Sequence, residues 1–93
     1  MVFGKHDGNP TVSVIGMLQN NSDIALDDLH LEAQFFDKDG KLLDVGIHDG
    51  YSETIPASGE AAFKVYVYAA RPEEDYGSFK VFVRSAKDAR AFP

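Results

Sequence analysis

Apolar residues recur at every second position over several stretches of this chain. Leu29, Leu31, Ala33 and Phe35 share one side of an extended strand, and His30, Glu32 and Gln34 take the other. A second arm follows from Lys41 to Ile47 and puts Leu43, Val45 and Ile47 on one side. Asp37-Lys38-Asp39-Gly40 joins the arms, and its Asp-Gly step supplies the positive φ that a tight hairpin turn needs. Each arm has one face to bury, so the hairpin predicts a facing sheet.

The same period marks further strands. In Thr11 to Gln19, Val12, Val14, Gly16 and Leu18 alternate with Ser13, Ile15, Met17 and Gln19; apolar residues in both sets predict cover on both faces. Glu60 to Ala69 directs Phe63, Val65 and Val67 inward, with Lys64, Tyr66 and Tyr68 outward. Ser78 to Ser85 directs Phe79, Val81 and Val83 inward, with Lys80, Phe82 and Arg84 outward. Val2 and Phe3 predict a short edge strand, and residues 51–55 another. Turns are expected at Asn20-Asn21-Ser22-Asp23, His48-Asp49-Gly50 and Pro56-Ala57-Ser58-Gly59. Residues 24–28 read as a connection between sheets, and residues 70–77 as a polar loop with room for one helical turn.

Strands, short turns and no long helical period define an all-β chain. The expected fold is an immunoglobulin-like antiparallel β-sandwich of about six or seven strands. It lacks the Cys and Trp pattern of antibody domains, since neither residue type occurs. The expected organisation is a lead-in over residues 1–10, one domain over 11–85 and a tail over 86–93.

Charge narrows the function classes. The net charge is −6, and residues 1–60 hold eleven Asp and Glu against three Lys and Arg, whereas residues 61–93 hold four against six. An acidic surface repels phosphate backbones, which argues against nucleic acid as a partner. Without Cys there is no thiol nucleophile and no Cys-based zinc site. No apolar run reaches the roughly 20 residues of a membrane helix, and MVFGKHDGNP lacks the apolar centre of a signal peptide. Two readings follow: a cytoplasmic protein, or a domain of a longer exported chain.

Three sets of residues carry candidate chemistry. Asp37, Asp39, Asp44 and Asp49 flank two turns and form a candidate Ca²⁺ set, because hard cations collect carboxylate oxygens. They do not fit an EF-hand loop: with Gly40 at its sixth place, the first place falls on Phe35. Aspartates also form turns by bonding their own backbone, and that reading needs no metal. A carboxylate pair for a small hydrolase is the remaining enzymatic alternative. His6, His30 and His48 share no metal-ligand spacing, and no Gly-x-Ser-x-Gly elbow is present. Asn20-Asn21-Ser22 matches the glycosylation sequon.

The third set is a surface. If the last two long strands pair, Lys64, Tyr66 and Tyr68 lie beside Lys80, Phe82 and Arg84, an aromatic patch rimmed by positive charge. Flat rings supply contact area at low entropic cost, which suits a protein or glycan partner. Cross-strand aromatic pairs also stabilise a sheet without any partner.

The chain also resembles a known family. Gly16 to Ser22 reads G-x-x-x-N-x-S, Leu31 to Gly40 reads L-x-A-x-F-F-D-x-D-G, and Ile55 to Phe63 reads I-P-A-S-G-E-x-x-F, before a closing F-K-V-F-V strand. This order is similar to that of FxLYD-type domains, small bacterial and archaeal β-sandwich modules, over roughly residues 11–85. Ala33, Phe35 and Phe36 stand where that motif has Phe, Leu and Tyr, and Asp37 is identical. The resemblance implies an exported, often membrane-tethered, non-enzymatic domain without assigned catalytic residues. The resulting expectation is a non-catalytic interaction or spacer module without cofactor, extracytoplasmic, with a protein partner.

Overall fold

Alternation along Leu29–Phe35 fixes the centre of the molecule: Leu29, Leu31, Ala33 and Phe35 are all buried, while His30, Glu32 and Gln34 between them are half-exposed. The computed structural model describes residues 1–51 and 54–89, excepting the side chains of residues 49–51. Six strands are formed: β1 (Val2–His6), β2 (Asn9–Gln19), β3 (Leu26–Phe36), β4 (Leu42–Tyr51), β5 (Glu60–Tyr68) and β6 (Ser78–Asp88). They make two antiparallel three-stranded sheets, ordered β1-β2-β5 and β4-β3-β6. The fold is an all-β sandwich.

Its core is shared by three strands and two loops. β3 meets Val12 and Val14 of β2 and Ala61, Phe63 and Val65 of β5, and Ile55 and Tyr76 close the ends. Tyr76 packs edge-on against Phe3 and Phe35, with ring centres 5.5 and 5.7 Å away. At the opposite end the buried Asn20 ties the β2–β3 and β4–β5 loops together. Its Nδ2 donates to the carbonyls of Ile24, Ile55 and Pro56, and its Oδ1 accepts from the backbone N–H and hydroxyl of Ser22. One side chain thus satisfies the backbone of segments that have no ladder of their own.

The hairpin turn forms as the Asp-Gly step predicts, with Gly40 alone at φ 81°. Asp37 Oδ1 accepts from the amides of Asp39 and Lys41, so this aspartate builds the turn.

Several expectations are revised. Residues 1–10 do not stand outside the domain, because β1 pairs with the first half of β2, Val2 to Ser13 and His6 to Asn9. Residues 26–28 belong to β3, and residues 86–88 extend β6 to pair with Leu26 and Asp27. His48, Asp49 and Gly50 continue β4 instead of turning it. Of the short strand expected over 51–55, residues 52–53 lie outside the described residues, and Ile55 forms a single bridge to Leu26.

β4 buries the opposite face from the one its apolar residues predict. A register shift between Phe35 and Phe36 sets Asp44 opposite Phe35, Gly46 opposite Ala33 and His48 opposite Leu31. Gly46 is therefore buried and Val45 and Ile47 are exposed, while Leu43 packs partly against the core. The reason is the close passage of β5: a Cβ on Gly46 would lie 2.4 Å from Val67 Cγ1.

β6 also departs from expectation. Phe79 and Val83 share the inward side, yet they are 41% and 48% exposed, and only Val81 is half-buried. β6 is an edge strand, and with β5 packed against β4, the facing sheet offers β6 only the five-residue β1.

Candidate functional site

The outer face of the β1-β2-β5 sheet follows from its register. Thr11 lies opposite Tyr68, Ser13 opposite Tyr66, Ile15 opposite Lys64 and Met17 opposite Ala62. Thr11 and Ser13 are buried although they point away from the core, because the larger residues around them on the same face cover them. The rings of Tyr66 and Tyr68 lie 6.0 Å apart, and His6 of β1 stands 6.3 Å from Tyr68. An aromatic row thus crosses from β5 to β1 above two small residues.

Beyond this row, Ile15 and Met17 are 61% and 60% exposed, beside Tyr66 and Tyr68 at 43% and 54%. The expected cover on both faces of β2 is therefore not found among the described residues. Partial burial raises the Tyr66 hydroxyl above its ordinary pKa, helped by Tyr68 and, less, by Asp7. An open cleft of about 950 Å³ follows this surface, lined by Lys5, His6, Ile15, Lys64, Tyr66 and Tyr68, and turns the edge of β5 to reach Phe63 and His48. Among the described residues none that lines it is acidic, and Asp7 lies 3.4 Å from His6 Nε2.

The patch proposed from sequence is divided between the two sheets. β5 pairs with β2 and β6 with β3, so Lys64, Tyr66 and Tyr68 face one side of the sandwich, and Lys80, Phe82 and Arg84 face the other. Lys80 Nζ lies 5.8 Å from the centre of the Phe36 ring. Arg84 Nε stands 3.7 Å from Glu32 Oε1, and Gln34 Nε2 donates to Glu32 Oε2 at 2.7 Å. Phe82 is opposite Glu32 within this polar ladder. In place of the β6 residues, Tyr66 and Tyr68 share their face with Ile15, Met17 and His6. The signal for this was present: the second apolar set of β2 had no assigned cover.

The aspartate set is likewise dispersed. Asp37 Oδ1 holds its turn, and Asp44 is engaged far from that turn in sequence. Its Oδ2 accepts from the Tyr76 hydroxyl at 2.8 Å and the Ala70 amide at 3.1 Å, and its Oδ1 from the Val45 amide. Asp39 borders a shallow cleft with Asp37, Glu74, Asp75 and Arg71, where Arg71 pairs with Asp75 at 3.2 Å. The side chain of Asp49 lies outside the described residues. Among the described residues no three His, Asp or Glu side chains gather in a geometry suited to a metal ion.

In the folded chain the amide of Asn20, the sequon's asparagine, is engaged by the carbonyls of Ile24, Ile55 and Pro56. Among the described residues no helix is long and apolar enough to cross a membrane.

The fold and this surface define a small all-β sandwich with one apolar, aromatic sheet face. No family model, curated protein or solved structure matches the chain.

Proposed function

We propose that this chain is a non-catalytic interaction module that binds a protein through the outer face of its β1-β2-β5 sheet. The exposure of Ile15 and Met17 beside Tyr66 and Tyr68 carries the reading. Four apolar or aromatic side chains left in water on one sheet face cost solubility, and burial against a partner recovers about 25 cal/mol per Å². Tyr and Met are also side chains enriched where proteins meet. An immunoglobulin-like build related to the FxLYD-type domains, and a place at the bacterial cell envelope, accord with the resemblance over residues 11–85.

The test is a crosslinking pull-down from envelope and soluble fractions of the host cell. The bait is compared with an Ile15→Ser, Met17→Ser, Tyr66→Ser variant whose melting shows it to be folded. A partner held by the natural chain and lost by the variant is the expected result. Identical capture by both, or none by either, leaves the domain as a spacer.

A further inference from the structure

One side of the sandwich stays open. The edge strands β4 and β5 pack together, whereas β6 has only the five-residue β1 in the facing sheet. Among the described residues the backbone of β6 from Ser78 to Val83 bonds to β3 alone. Past Val83 the register slips, and Asp88 at the strand's end is already engaged. The open stretch is apolar on both faces, with Phe79 and Val83 exposed on the inner side and Phe82 on the outer. Edge strands are ordinarily guarded by Pro, by an inward-pointing charge or by being short. This stretch has no Pro, and Phe79, Val81 and Val83, its inward residues, carry no charge.

The sequence of this stretch is complementary to itself. Opposite residues of an antiparallel pair point to the same face, so two identical strands meet with their two-fold axis on a residue. With Lys80 on the axis two lysines meet, and with Phe82 there Lys80 meets Arg84. An axis on Phe79 runs past the start of the strand, and one on Val83 crosses the register slip. With Val81 on the axis no like charges are opposed: Phe79 faces Val83 on the inner side, and Lys80 faces Phe82 on the outer. The first pair buries the exposed apolar residues, and the second sets an ammonium beside an aromatic ring.

We propose that the open edge of β6 is the contact surface of a symmetric dimer of this chain, with Val81 on the two-fold axis and the two β4-β3-β6 sheets joined into one. The net charge of −6 on each chain opposes association, a repulsion that ordinary ionic strength screens beyond about 8–10 Å. The dimer leaves the outer face of the β1-β2-β5 sheet free and presents it twice.

The test is analytical sedimentation of the whole chain over a concentration series at about 0.15 M salt. One strand from each copy makes an interface at the small end of known sizes, so a dissociation constant in the micromolar range is expected. Phe82→Lys puts a cation opposite Lys80 of the other copy, while within its own chain it faces Glu32. It is expected to leave the melting temperature unchanged and to weaken the dimer about tenfold or more. The double variant Lys80→Glu, Phe82→Lys makes those pairs attractive and is expected to restore the dimer. Cysteine crosslinking reads the register without relying on affinity, in a chain that has no other Cys. Val81→Cys is expected to join to itself under mild oxidation, and Phe79→Cys is not, because it faces Val83. A chain that stays monomeric up to about 1 mM overturns the proposal and leaves the edge to a different protein. A dimer indifferent to Phe82→Lys, no restoration by the double variant, or equal crosslinking at the two cysteine positions overturns it as well. If Phe82→Lys does not fold, the crosslinking decides alone.

Discussion

The Tyr76 hydroxyl donates to Asp44 Oδ2 at 2.8 Å, joining two residues 32 positions apart. Tyr76 is buried with its ring between Phe3 and Phe35, so the bond closes one end of the sandwich. Tyr76→Phe keeps the ring and removes the donor, and the expected cost is about 1–2 kcal/mol. In a domain of this size that lowers Tm by about 4–8 °C per kcal/mol, read by calorimetry.

The same pair sets an alkaline limit. Burial first, and then the bond to Asp44, raise the Tyr76 hydroxyl above its ordinary 10.0. The unfolded chain releases this proton earlier than the folded one. The stability it contributes is therefore complete below about pH 10 and is lost as pH rises through the raised value. Urea melts at rising pH should show the gap between the natural chain and Tyr76→Phe narrowing above pH 10. A constant gap would refute this linkage.

Gly46 is the tightest point between the sheets. A methyl added there meets Val67 Cγ1 at 2.4 Å and Val65 Cγ1 at 3.3 Å. Gly46→Ala is expected to cost about 1–3 kcal/mol from overpacking. Adding Val67→Ala, which removes the nearer group, should restore part of that loss in a double-mutant cycle.

Asn20 is expected to tolerate a carboxylate less well than a truncation. In Asn20→Asp an anion would face the carbonyls of Ile24, Ile55 and Pro56, where Nδ2 now donates. Asn20→Ala leaves those acceptors short of a donor at about 1–3 kcal/mol, and Asn20→Asp should cost more at neutral pH. Denaturant midpoints of the two variants would decide the order.

Asp28 and Lys87 approach to 3.1 Å across β3 and β6. The bond from Lys87 is the largest of the influences on the Asp28 carboxyl and, with His30, holds it below its ordinary 3.8 against an opposing effect of desolvation. The stability from this pair is present above that value and falls as pH drops through the lowered one. Both groups are exposed, so Asp28→Asn should have a small effect at low salt that fades at high salt.

Calcium supplies a sharper outcome. With Asp37 committed to its turn and Asp44 to Tyr76 and Ala70, the melt should be the same in EDTA and in excess Ca²⁺. A rise of several degrees with Ca²⁺ would restore the aspartate site.

The alternation of β3 and β5, the Gly40 turn, and the outward side of Lys64, Tyr66 and Tyr68 follow from local sequence, because strand period and turn chemistry act over a few residues. Which strands become neighbours does not follow from them. Lys80, Phe82 and Arg84 have the pattern of an outward face, and only sheet pairing shows that this is the far side of the sandwich. In β4, Leu43, Val45 and Ile47 carry the apolar pattern, yet the inward places went to Asp44, Gly46 and His48. Periodicity weighs a strand by itself. The close passage of Val65 and Val67, and a buried tyrosine hydroxyl in need of an acceptor, are properties of the assembled sandwich, and they decided which face of β4 turned in.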